Sequence, residues 1–280
     1  MTKKILFICN DSGFFISHRL NLAVLLHQKG YKIYLATPKN SNPELLRKFN
    51  IIHKKIYLIR SSTNIFKEIL SFYSLLKLII SDSYNILHFI TTKPVFYGGV
   101  LSRLLGKKNI VFSITGLGYL FSENINDNKF LRTLAKFLYK ISLNHSNSRY
   151  IFQNNKDLNS IKKIINIDTK NLIIIKGSGV DTNIFKPTNK KINSDFKVLM
   201  AGRLLKNKGV YEYLEASKIV KNRGFNIEFL LAGNVDDNPN SISNEELNDI
   251  KKSKHLNFLG LQKNIFQVLK NVNIAVLPSY

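Results

Sequence analysis

The sequence predicts an α/β protein made of two doubly wound parallel-sheet units in tandem, the second incomplete. Three observations predict it. Short apolar runs alternate with longer segments of helical period. Most of those runs are continuous Val/Ile/Leu/Phe stretches rather than strict alternations, as expected of strands buried on both faces of a parallel sheet. The alternation pauses over 181–195, which has few core-type residues, and then begins again.

Taken in order, strands are expected at KILFICN near the N-terminus, YKIYLAT (31–37), IIHKKIYLI (51–59), NILHFIT (85–91), NIVFSIT (109–115), RYIFQ (149–153) and NLIIIK (171–176). Helices fall between them at about 17–29, 65–81, 95–106, 128–146 and 155–164. A βαβα order of this kind implies a doubly wound sheet. Residues 181–195, DTNIFKPTNKKINSD, read as an interdomain linker. Beyond it come a strand at FKVLMAG (196–202), a helix at about 208–222, a strand at NIEFLLAG (226–233) and a helix near 244–252. A short HLNFLG strand, a helix at 263–270 and NIAVLP (273–278) complete the series. The expected division is therefore 1–180, linker 181–195 and 196–280, two Rossmann-like units. A parallel strand followed at once by Tyr280 lacks the helix that should cover it, so the second unit is expected to be truncated.

Composition narrows the function classes. With 280 residues, 44% of them hydrophobic, the chain has the apolar mass for a packed core. Its longest apolar stretch, 69–80, is broken by Lys77 and falls short of the roughly 20 residues a spanning helix needs. The opening MTKKILFICNDSGF lacks a signal-peptide core, because Asn10 and Asp11 end its apolar run, so a cytoplasmic location is expected. The single Cys9, inside a strand-like run, excludes an intramolecular disulfide and reads as a small core residue.

The formal net charge is +24. Residues 1–140 carry 21 basic and 6 acidic side chains, and residues 141–280 carry 21 and 12. Such a surface attracts nucleic acid, anionic lipid or phosphorylated small molecules alike. An abundance of Lys, Asn and Ile along the whole chain supplies part of the excess. No helix-turn-helix, RNP or zinc-finger signature accompanies it, and no nucleic-acid partner is expected.

Three strand-to-helix turns hold the candidate site residues. The first is Asn10-Asp11-Ser12-Gly13, leading into a helix whose first turn is expected to carry Ser17, His18 and Arg19. The G-x-G-x-x-G dinucleotide fingerprint is absent there. The second is Ser113-Ile114-Thr115-Gly116-Leu117-Gly118-Tyr119, where Thr115 is able to donate to a sugar or phosphate oxygen. The third, GRLLKNKG (202–209), is the most specific. A buried strand delivers Arg203 and Lys208 to its carboxyl end, flanked by Gly202 and Gly209 at a helix N-terminus. That setting suits a diphosphate, gripped bidentately by Arg and supported by the point charge of Lys. Lys206 reads as a solvated surface cation.

At this point the sequence resembles a family. GRLLKNKG, LLAGNVDDNPNSI (230–242), FLGLQKNIFQVLKNVNIAVLPSY (258–280), GSGVDTNIFKP (177–187), IFQNNKD (151–157), SITGLGYLF (113–121) and FFISHRLNLAVLLHQKGYKIYLAT (14–37) are together similar to glycosyltransferase family 4 enzymes of the GT-B fold. The nearest resemblance is to bacterial transferases that build lipid-linked polysaccharide or glycan precursors. It implies a retaining transfer from a nucleotide sugar, usually a UDP-sugar, to a saccharide on a polyprenyl-diphosphate carrier. By the same resemblance the N-terminal domain binds acceptor and membrane, and the C-terminal domain binds donor. The family's donor-diphosphate cations fall on Arg203 and Lys208, beside Gly202. Gly177-Ser178-Gly179-Val180-Asp181 matches the loop into the second domain, and 234–239 matches its variable G-x-x-D-x-N-P loop. Ser12, Gly13, His18, Arg19, Thr115 and Gly116 are the cleft and acceptor candidates.

The family's E-G-x-P loop and E-x7-E element do not follow the L-P-S-Y strand here, which leaves an inactive remnant or a noncatalytic acceptor- or membrane-binding protein as the alternative. No Asp-x-Asp occurs, so neither a metal nor another cofactor is expected. No catalytic residue is assigned. The segment 64–80 is apolar on more than one face. It reads equally as a sheet-covering helix and as a peripheral anchor on the anionic inner face of the cell membrane.

Overall fold

The structure, a computed structural model, describes residues 2–59, 62, 64–116, 129–145, 147–177, 179–187, 196–235, 238, 240–262 and 264–280. It divides into two compact units, Met1–Gly179 and Val180–Tyr280.

Unit 1 holds β1 (Lys4–Ile8), α1 (Ser12–Gln28), β2 (Lys32–Thr37), α2 (Pro43–Lys48), β3 (Ile51–Lys55), α3 (Ile65–Ile80), β4 (Ile86–Ile90), α4 (Thr92–Leu104), β5 (Ile110–Ile114), α5 (Lys129–Leu143), β6 (Ser148–Phe152), α6 (Asn155–Lys162) and β7 (Leu172–Ile174). The sheet order is β3-β2-β1-β4-β5-β6-β7, parallel throughout. Side-chain alternation along β1 explains both layers. Ile5 and Phe7 pack with Ile33, Leu35, Ile51 and the α1 and α2 residues Phe15, Ala23 and Leu46. Leu6 and Ile8 pack with Leu75 and Ile79 of α3, Phe96 of α4, Tyr139 of α5 and Ile161 of α6. Because β1 is covered on both faces it has no polar residue between Lys4 and Cys9, and burying each large side chain stabilises the fold by about 1.5–3 kcal/mol.

Unit 2 holds β8 (Phe196–Ala201), α7 (Val210–Asn222), β9 (Ile227–Ala232), α8 (Asn244–Lys252), β10 (Asn257–Gly260), α9 (Ile265–Leu269) and β11 (Ile274–Val276). Its parallel sheet runs β10-β9-β8-β11. Val198, Met200, Phe229 and Leu231 meet α7 and α8 on one face, while Leu199, Leu230 and Ala232 meet α9 on the other. Phe185 packs edge-on against Phe266, ring centroids 5.5 Å apart. Ser178, Asp236, Asp237, Pro239 and residues 117–128 and 188–195 lie outside the described residues, with those parts of the expected loops and linker.

Two expectations are corrected. α1 starts at Ser12 rather than near 17, because the Asp11 side chain caps it by accepting the Phe14 N–H at 2.6 Å. Ser17, His18 and Arg19 consequently sit in the second turn. Between β2 and β3, where the sequence reading places no helix, the chain forms α2, six residues long, begun by an Asn42 cap on the Leu45 N–H and Pro43 at its first position.

Candidate functional site

In unit 2 the carboxyl end of β8 builds an exposed cationic turn. Gly202 and Arg203 are exposed, the next pair, Leu204 and Leu205, is buried, and Lys206–Lys208 form a 3-10 turn that is exposed again. The buried leucines anchor the turn so that Arg203 and Lys208 stand in solvent on either side of them. Gly209 closes it with φ 78°, a left-handed conformation that suits glycine, and a Cβ there would stand 2.3 Å from the Pro278 carbonyl oxygen. α7 follows directly, with no side chain capping its first N–H groups. The 13-residue helix thus starts without a side-chain cap beside two exposed cations, with Glu212 the acidic residue of its first turn.

The two lysines of the turn differ. Lys206 Nζ lies 3.6 Å from Glu246 Oε1. Among the described residues Lys208 makes no ion pair. Gly202 has its backbone N–H tied to the Ala232 carbonyl at 2.9 Å, its φ lies outside the left-handed region, and a Cβ there would meet nothing within 4 Å.

In unit 1 the carboxyl ends of β1 and β4 are neighbours although the strands are far apart in sequence. This is the point where the strand order reverses, the place where open α/β sheets bind ligands. Ser12 is buried, donates to Ser41 Oγ at 2.8 Å and accepts the Ser41 N–H at 2.9 Å, so it ties two turns together. Gly13 leaves room beside Asp11, whose Oδ1 would be 3.1 Å from a Cβ. His18 is exposed and stacks on Phe14 with centroids 4.2 Å apart, its Nδ1 2.6 Å from Ser17 Oγ. Arg19 is buried, and its Nη1 donates to the His18 carbonyl at 2.9 Å. Thr115 and Gly116 are half-buried at the end of β5, Gly116 with φ 140°.

Sequence reasoning missed a polar layer directly beneath these turns. His88 of β4 is fully buried, 2.7 Å from Ser113 Oγ on β5. Burial, with the Arg19 charge adding to it, pushes its pKa down to about 3, so the ring is neutral. Burial likewise pushes the Cys9 thiol up to about 11, and the neighbouring Thr91 hydroxyl donates to the Ile90 carbonyl. Thr91 has φ 72°, a strained value for a β-branched residue, at the end of β4. The Lys93 ammonium joins Glu68 Oε1 at 2.7 Å to the Ile59 and Ser62 carbonyls, each at 2.8 Å, and Tyr97 donates to the same carboxylate. The strand order brings His88 and Ser113 side by side and sets the end of β1 next to β4.

Two tandem parallel-sheet units, the second with a cationic turn at a strand end, are the parts of a GT-B fold. The fold is shared with Anabaena Alr3699/HepE in complex with UDP and glucose, at TM-score 0.68 and 14% identity over 99% of this chain and 74% of that one. It is shared also with a glycosyltransferase from Rickettsia africae, at TM-score 0.66 and 15% identity over 99% and 73%. The chain belongs to the glycosyl transferase 4-like family, which matches residues 4–155, and residues 195–280 match the glycosyl transferases group 1 family. The chain is 26% identical over 285 residues to the N,N'-diacetylbacillosaminyl-diphospho-undecaprenol alpha-1,3-N-acetylgalactosaminyltransferase of Campylobacter jejuni. That match covers 97% of this chain and 73% of the relative. It is 27% identical over 231 residues to the UDP-Gal:alpha-D-GlcNAc-diphosphoundecaprenol alpha-1,3-galactosyltransferase of Escherichia coli, covering 77% and 57%. The chain thus spans just over half the length of the second relative.

Proposed function

We propose that this chain transfers a sugar from a UDP-sugar, with retention, to a saccharide on a polyprenyl diphosphate in surface polysaccharide or glycan assembly. Gly202 carries the reading. Neither its backbone conformation nor its packing requires a glycine, and without a side chain the exposed backbone beside Arg203 is open to close approach by a ligand. Arg203 and Lys208 supply charge to the donor diphosphate as the leaving group becomes negative, a part that two cations fill without a metal. The names of the two relatives, one carrying UDP-Gal and both a diphospho-undecaprenol acceptor, support the substrate classes.

The acceptor is assigned to unit 1, with His18, Thr115 and Gly116 at the carboxyl ends of β1 and β5. Ser12 and Arg19 lie beneath that surface and support it from below. Peripheral attachment to the inner face of the membrane belongs to the same reading. Leu75, Leu78 and Ile79 of α3 face the core, whereas Phe66, Ile69, Leu70, Tyr73 and Ile80 are more than half exposed, with Lys67 and Lys77 among them. An apolar stripe with lysines along it suits an anionic lipid surface. Among the described residues no helix is long and apolar enough to cross a membrane.

Titration calorimetry with UDP, run beside a single-stranded oligonucleotide at physiological salt, tests the reading. Saturable UDP binding that disappears in Arg203→Ala is expected. Tight oligonucleotide binding with no UDP binding would overturn it.

A further inference from the structure

The cationic turn is laced to the segment that follows β9. Leu204 N–H donates to the Asn234 carbonyl at 3.2 Å, Lys206 N–H to the Asn240 carbonyl at 2.8 Å, and Ile242 N–H to the Leu204 carbonyl at 3.0 Å. Leu205 and Ser241 form an antiparallel bridge. This lacing reaches as far as Lys206. Beyond it, Tyr280 donates its N–H to the Asn207 carbonyl and its hydroxyl to the Lys206 carbonyl, each at 3.4 Å, and Glu246, in the first turn of α8, reaches across to Lys206 and Tyr211.

One carboxylate makes three kinds of contact there. Its Oε2 accepts the Ser243 N–H at 2.6 Å while Ser243 Oγ accepts the Glu246 N–H at 3.1 Å, a reciprocal cap on α8. Its Oε1 accepts the Tyr211 hydroxyl at 2.5 Å and lies 3.6 Å from Lys206 Nζ. A helix cap needs only the first kind. Lys206 comes two residues before Lys208, and Tyr211 three residues after it. The carboxylate therefore spans the turn from both sides. Its pKa is pulled down to about 2, chiefly by the Tyr211 hydroxyl, so it stays ionised at all physiological pH.

We propose that Glu246 is a positioning residue for the donor turn, holding Lys206 and Tyr211 at fixed places so that Lys208 between them is presented in one orientation to the diphosphate. Lys206 is occupied in the brace and stands apart from the diphosphate contact. The proposal rests on the donor reading for its consequence in binding, and on geometry alone for its consequence in the free protein.

The test uses the full chain, with UDP as the probe and amide hydrogen exchange as a second measurement. Glu246→Ala and Tyr211→Phe should each weaken UDP binding by about tenfold, and together by little more than either alone. Both should speed exchange of the Lys208 and Gly209 amides, which donate to the Leu205 and Lys206 carbonyls at 2.9 and 3.0 Å. Ser243→Ala removes the side-chain half of the helix cap, the bond from the Glu246 N–H, and leaves both cross-links, so it should lower the melting temperature without changing UDP affinity or exchange in the turn. Equal loss of UDP binding in Ser243→Ala reduces Glu246 to a helix cap and overturns the proposal. So does unchanged exchange in Tyr211→Phe. Unchanged UDP affinity in Lys208→Ala, or no UDP binding by the wild type, removes the donor reading instead, and the exchange result still decides the brace.

Discussion

The carbonyl oxygen of Gly202 lies 1.9 Å from the place a Cβ on Gly233 would occupy, so the ends of β8 and β9 close on each other with no room for a side chain. Gly233 also has φ 156°. The two glycines should therefore behave oppositely. Gly233→Ala should destabilise unit 2 by about 1–3 kcal/mol, because backbone rather than a flexible side chain must move. Gly202→Ala should leave the melting temperature within about a degree of wild type and weaken UDP binding at least tenfold. A Gly202→Ala variant with normal UDP affinity would count against a ligand at this turn.

Arg203→Ala and Lys208→Ala should each reduce transferase turnover by about two orders of magnitude or more. Losing a charge-assisted contact to a developing anion typically costs about 2.7–4 kcal/mol in the transition state. Steady-state turnover with donor and lipid-linked acceptor measures this, and a near-normal rate for either variant withdraws that residue from the diphosphate site.

Stability should fall on acidification through His88. Its folded pKa is pushed down to about 3, below the roughly 6.5 of an unfolded histidine. The stabilisation is therefore complete above about pH 6.5 and is lost as the pH falls from there toward 3, since only the unfolded chain binds the proton. The slope is about 1.4 kcal/mol per pH unit. His53 and His145, lowered mainly by burial, act with the same sign. Urea unfolding followed by tyrosine emission should show a slope shallower by one proton in His88→Gln than in wild type. Parallel slopes would mean the imidazole is already protonated in the folded state.

Attachment to lipid is predicted to depend on the outer face of α3. Replacing Phe66, Ile69 and Leu70 by serine removes side chains that are 74, 57 and 53% exposed, so the fold should persist. Flotation with anionic vesicles should drop several-fold, and wild-type binding should weaken with salt. Equal flotation with neutral vesicles removes the electrostatic part, and unchanged flotation of the triple variant removes α3.

Much of the fold is legible because both units bury their central strands on two faces. Runs such as ILFI and VLMA carry no polar residue that would disguise them, and each strand expected from such a run is present to within a few residues. α2 is illegible by periodicity because six residues give fewer than two turns, although its Asn42-Pro43 start is a recognisable signal. The start of α1 is hidden for a related reason. Gly13 suggests a loop, yet the Asp11 cap turns the chain into helix before it.

The cationic turn is legible because Gly202, Arg203 and Lys208 are contiguous, so their shared location follows from one strand and one helix. The layer formed by Cys9, Thr91, His88 and Ser113 is not, because its members come from three strands whose adjacency the topology decides. Glu246 is a harder case. Its cap is readable as Ser243-x-x-Glu246, but its links to Lys206 and Tyr211 follow from the lacing of two loops.

The place of β1 inside the sheet also governs how the protein is made. Lys4 N–H donates to Asn85 Oδ1, 81 residues further along, and β1 stays open on that side until β4 has been synthesised. At about 5–20 residues per second the delay is roughly 4–16 s. Throughout it Leu6 and Ile8 lack most of the helices that later cover them, and an unpaired apolar edge is available to any passing strand. The interval between translating residues 9 and 85 is therefore the one in which β1 is made but the sheet edge that β4 later covers stays unpaired.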